Sequence, residues 1–154
     1  MPDEADRIAR TALLLLESHD VEGFLETLPA PTEAAVAGGV ARTWPLAAPL
    51  RVTLQPEGLS KKLVKLFKGE IQTGDAAFDA AVFIDTDTPA LVTAWLDIPE
   101  LRSAILAVVQ GGGSVAVDGE TVTLRAPGDG AILDGRTVAT ILAHVEAVAR
   151  PPEA

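Results

Sequence analysis

The 154-residue sequence predicts an α+β fold: an antiparallel sheet of about five strands covered by two helices and preceded by an N-terminal helical segment. Three observations carry that reading. Apolar residues recur at helical spacing early in the chain and again over 88–110 and 134–150. Strict alternation of apolar and polar residues marks 50–54. The run SVAVDGETVTLR reads as two strands around a Gly-containing turn.

In order, Asp3 caps a first helix of about four turns, with Ile8, Ala12, Leu15 and Leu16 on one face and Glu4, Arg7 and Arg10 outward. His19 continues the apolar face. Asp20 caps a second, shorter helix that buries Val21, Phe24, Leu25 and Leu28 and stops at Pro29-Ala30-Pro31. Thr32 is read as the cap of a third helix to Trp44, although Gly38-Gly39 costs it roughly 1 kcal/mol per glycine. The segment Pro45 to Pro49 is the natural boundary. It divides a helical segment, 1–44, from an α+β domain, 45–150, with 151–154 a frayed tail.

Leu50 to Leu54 is a half-buried strand, followed by a turn at Pro56-Glu57-Gly58. LSKKLVKLFKG then reads as a short amphipathic helix, with an irregular hairpin arm as the alternative. Glu70 to Thr73 and Ala81 to Asp85 read as strands around a Gly74-Asp75 turn. Thr88-Pro89 starts a helix with Leu91 and Trp95 inward; Pro99 restarts it, and Leu101, Ile105, Val108 and Val109 carry it to Gln110 and the Gly111 to Gly113 stop. In the next hairpin a Gly119-Glu120 loop pairs Val117 with Val122 and Val115 with Leu124. Asp134 caps a last helix to Arg150, whose buried stripe is Val138, Ile141, Leu142, Val145 and Ala149.

Composition excludes several functions. A formal charge of −10 repels phosphate backbones, so no nucleic-acid partner is expected. The chain has no cysteine, which removes disulfides, thiolate nucleophiles and Cys-ligated metal. Neither a signal peptide nor a transmembrane segment is expected, and the cytoplasm is the expected compartment. No motif implies a cofactor.

Four groups of residues are candidates for chemistry. Asp75, Asp79, Asp85 and Asp87 crowd into thirteen residues, and Asp85 and Asp87 are weak metal candidates. Their structural reading is a turn for Asp75 and a helix start for Asp87. His19 and His144 lack an HExxH or nucleophile-elbow partner, and His144 is placed toward the polar side of its helix. The four lysines of the protein, Lys61, Lys62, Lys65 and Lys68, lie in one short segment. They form a surface patch for an anionic surface or an acidic groove, or simply a solvated face. Gly111 to Gly113 is a helix stop, because Gly-Lys-Ser/Thr does not follow.

The residues Thr73-Gly74-Asp75, Phe78-Asp79, Ala81 to Ile84, Leu101-Arg102 and the Val115 to Leu124 hairpin form a TGDxxFDxxF-type pattern. In that order they resemble an uncharacterised bacterial domain family. The resemblance spans 48–125, with a departure at Val82-Phe83, where the pattern has one Phe three residues after Asp79. It implies a folded unit and no established activity, and Thr73, Gly74, Asp75, Phe78 and Asp79 are its motif residues. The function expected is a non-enzymatic protein-interaction or ligand-binding module. Its partner is a protein or small ligand, and a homo-oligomer is left open. The alternatives are a small metal-assisted hydrolase using the four aspartates and peripheral binding through the four lysines.

Overall fold

The computed structural model describes residues 4–18, 20–56 and 73–149. Among these residues six strands form one sheet: β1 (Thr32–Val36), β2 (Gly39–Trp44), β3 (Arg51–Pro56), β4 (Val82–Thr86), β5 (Ser114–Asp118) and β6 (Val122–Pro127). Their spatial order is β1-β2-β6-β5-β3-β4, and every neighbouring pair is antiparallel. Among the described residues six helices accompany them: α1 (Glu4–Ser18), α2 (Val21–Glu26), α3 (Ala76–Ala81), α4 (Pro89–Trp95), α5 (Pro99–Gln110) and α6 (Gly135–Ala149). The expected α+β class with its N-terminal helix is therefore present, with six strands in place of five. None of the described helices is long and apolar enough to cross a membrane.

The register explains the one-sided core. Trp44, Val122, Val117 and Val52 face one another in a row across four strands, and Leu124, Val115, Leu54 and Ile84 form the next row. All eight side chains are buried. The other face carries Thr43, Thr123, Ala116, Thr53 and Asp85, with the Thr43 and Thr123 hydroxyls 3.0 Å apart. Period-two alternation sends one set to the helices and leaves the other polar or small. The Gly119-Glu120 hairpin has the expected register.

Helices cover the apolar face. α5 packs on β3 and β5, while α6 packs against α1, α2 and α5. Nine residues of α6 are buried, so it is apolar on nearly every side and sits inside the helical layer. Leu101, Ile105, Ile141 and Leu142 are fully enclosed; each such side chain contributes about 1.5–3 kcal/mol relative to exposure. Asp20 caps α2 by accepting from the Gly23 amide at 2.6 Å, and Asp134 accepts from the Thr137 amide at 2.8 Å at the start of α6. Both caps are as expected.

Three expectations are corrected. The helix expected over Thr32–Trp44 is the β1–β2 hairpin, because pairing with β6 outweighs the weak helical preference of an Ala-rich, Gly-interrupted segment. The Gly74-Asp75 turn leads into the short helix α3 rather than directly into a strand. His144 is buried, not on a polar side, because α1 covers the flank of α6 that a one-sided stripe leaves to solvent. Several expectations fall outside the described residues: the Asp3 cap, His19, Lys61, Lys62, Lys65 and Lys68, most of the Glu70–Thr73 strand, and the 151–154 tail.

Candidate binding cleft

The TGDxxFD segment is a local brace. Asp75 caps α3, its carboxylate accepting from the Phe78 amide at 3.2 Å and from Arg102 Nε at 3.2 Å. Asp79 turns back to accept from the Thr73 amide at 2.9 Å, the Thr73 hydroxyl at 2.8 Å and the Gly74 amide at 3.1 Å. Phe78 is fully buried between them. Arg102 also donates from Nη1 to the Leu96 carbonyl at 2.9 Å, tying α5 to the end of α4. The Phe78 amide foremost, then the Arg102 guanidinium, holds Asp75 below the usual carboxylate range. Thr73, Gly74, Asp75, Phe78 and Asp79 thus converge on each other and on a helix start. Their polar atoms are engaged in holding the chain.

Asp85 and Asp87 lie elsewhere, at the far end of β4. They line a shallow cleft of about 410 Å³ with Arg51 and Thr53 of β3 and Asp118 of β5. Arg51 Nη1 stands 3.7 Å from Asp87, both exposed. Asp118 accepts from the Glu120 and Thr121 amides at 3.0 and 2.7 Å, and these bonds lower its pKa. The four aspartates therefore divide into two pairs at separate sites. Among the described residues no group of three or more His, Asp or Glu is placed to hold a metal ion.

The larger cleft was not legible as a site. It measures about 770 Å³ and lies among α1, α2, α5 and α6, with mostly apolar walls. Ala9, Leu13, Leu16 and Val21 supply the apolar wall, and Arg10, Asp20, Glu100 and Arg136 the charges around it. Thr140 and His144 of α6 line it from within. The Nδ1–H of His144 donates to the Thr140 carbonyl at 2.7 Å, since a carbonyl can only accept. That leaves Nε2 as the acceptor of the neutral ring. Burial pushes His144 below the ordinary imidazole range, while the bond to Thr140 and the charge of Glu100 act the other way.

The polar groups around this cleft are unequally engaged. Asp20 is committed to capping α2, and Glu100 stands in the first turn of α5, where the helix end favours its charge. Arg10 and Arg136 have no ion pair within the described residues. One sequence signal could have found the wall. Four consecutive leucines, Leu13 to Leu16, span 300° of a helix, so they cannot all face one core. Comparison with protein-family models, with curated proteins and with solved structures finds no match for this chain.

Proposed function

We propose that this chain is a non-enzymatic binding module whose cleft among α1, α2, α5 and α6 takes a small molecule with an apolar body and a carboxylate head. The observation that carries the reading is an apolar-walled cleft of about 770 Å³ beside a guanidinium, Arg136, that no carboxylate of the described chain engages. That volume suits small-molecule sites, which span about 300–1,000 Å³ and combine apolar walls with few polar anchors. Formal charges around the cleft balance, so electrostatics alone do not select an anion. The roles of the charged groups tip the choice: the Asp20 carboxylate caps α2 and Glu100 sits in the first turn of α5, whereas the guanidinium forks of Arg10 and Arg136 are open to a carboxylate. Neutral His144 offers an acceptor to a hydroxyl on the same ligand. On this reading the motif shared with the bacterial domain family that 48–125 resembles is architectural, and a cysteine-free chain suits a cytoplasmic protein.

Decanoate and decanol test it. Titrating decanoate into isotopically labelled protein is expected to give saturable shifts of the Ala9, Leu13, Leu16, Val21 and Thr140 amides. Decanol keeps the chain but lacks the carboxylate, and should bind about tenfold more weakly, as should decanoate to Arg136→Gln. An absence of saturation, or shifts confined to the polar face of the sheet, would remove this reading.

A further inference from the structure

We infer that α1 is also a self-association surface, through which two copies of this chain form a two-fold symmetric dimer. The inference goes beyond the ligand reading and does not depend on it. Among the described residues the exposed large apolar side chains are Leu13 and Leu14, at 54% and 58% exposure, adjacent on one helix. Such a pair is conspicuous because the rest of the apolar set is enclosed in a continuous core. Arg10 precedes Leu13 by three residues and Glu17 follows Leu14 by three, so both charges flank the pair on the same outward side of α1. Neither Arg10 nor Glu17 has an ion-pair partner within the described residues.

The spacing is self-complementary. A two-fold axis crossing α1 midway between Leu13 and Leu14 sets a second α1 antiparallel to the first and gathers the four leucines at the centre. The same operation brings Arg10 level with Glu17 of the partner subunit, and Glu17 level with Arg10 of the partner subunit. Each pair then lies about 5 Å along the helix from the axis, one turn from the leucines. Parallel packing would instead set Arg10 against its own copy. The chain carries a net charge of −10, yet within one turn of the leucines this face presents one charge of each sign, Arg10 and Glu17, with Asp6 a further turn away. Opposite charges flanking an apolar centre fix both the register and the antiparallel sense.

Sedimentation velocity on the full chain tests the inference, with far-UV circular dichroism confirming that each variant is folded. Between roughly 1 and 100 µM the wild type is expected to shift from the 16.0 kDa monomer toward twice that mass. Leu13→Ser with Leu14→Ser is expected to stay monomeric throughout. Arg10→Glu or Glu17→Arg alone sets like charges across the axis and should weaken association about tenfold or more. The double reversal, Arg10→Glu with Glu17→Arg, restores opposite pairs and should recover the wild-type dimer. A monomeric wild type overturns the inference and leaves the leucines to some other occupant. So does a dimer that survives loss of both leucines, or a double reversal no stronger than the single changes. Because Arg10 and Leu13 also border the ligand cleft, decanoate binding is measured on Glu17→Arg, which leaves the cleft lining intact, so failure of either reading is distinguishable from failure of the other.

Discussion

His144 is the residue whose environment most constrains the chain's response to pH. Its ring is buried and its Nδ1 proton is committed to the Thr140 carbonyl, so the folded protein holds it neutral. A histidine whose native pKa is depressed costs nothing above the ordinary imidazole range, near 6.5, where neither state is protonated. As pH falls through that range the unfolded chain takes up a proton that the folded chain refuses, and stability drops by at most about 1.4 kcal/mol per pH unit. The loss ends only at the lower, native pKa. Asp75 and Asp118 titrate later: their native pKa values are depressed, so their contribution persists above the ordinary carboxylate range and is lost only on further acidification. Urea denaturation of the wild type should therefore show stability declining from pH 7 to 5. His144→Gln should be less stable at pH 7 but flatter over that interval. An equal slope in both proteins would assign the decline to another group. The sequence displayed this histidine but not its setting, since only the packing of α1 against α6 closes the side that a single stripe leaves open.

The β1–β2 hairpin is the element that local signals most misrepresent. Its residues include four alanines over 34–41, which favour helix in isolation, and a Gly-Gly pair that reads as a mere interruption. The pair in fact performs two different tasks. Gly38 closes the turn at φ +76, in the left-handed region, with open space around it. Gly39 starts β2 against β6, where an added Cβ would lie 2.0 Å from the Ala126 carbonyl oxygen. Gly38→Ala should therefore cost about 1–2 kcal/mol from backbone strain alone. Gly39→Ala must push two paired strands apart and should cost more, about 3 kcal/mol. Equal losses for the two variants in chemical denaturation would mean that the close approach of β2 to β6 is relieved cheaply. The β5–β6 hairpin was legible for the opposite reason: its alternating valines admit a single register that puts all four apolar residues on one face. Of the TGDxxFD segment, the turn residues were legible, but the short helix behind them rests on Asp79 reaching back to Thr73 and Gly74, a contact that no periodicity encodes.

At the scale of the whole molecule, the Pro45 to Pro49 segment that composition marks as a boundary is built into the core. Leu46, Ala48 and Leu50 are buried, and the Ala48 amide donates to the Gly119 carbonyl at 3.1 Å. On its N-terminal side β2 is paired along its length with β6, and α1 packs against α6. Composition registers a run of prolines and alanines but not the partners that arrive from 70 residues later. The two tryptophans stand on opposite sides of this segment, Trp44 in β2 and Trp95 in α4, and both belong to one buried cluster. If the pairing seen here governs stability, the chain unfolds in one cooperative step. Trp95→Phe leaves Trp44 as the sole tryptophan. The substitution also leaves the His144 carbonyl without its indole donor, which stands at 3.2 Å, and costs about 1–3 kcal/mol. The urea midpoint should therefore fall, but the fluorescence of Trp44 and the far-UV circular dichroism should still change together. Trp44→Phe, which leaves Trp95 as the reporter, should show the same coincidence. Were residues 1–44 a unit of their own, Trp44 would move at a different urea concentration from the bulk of the secondary structure. A split between the two signals would then separate the hairpin from the sheet it joins.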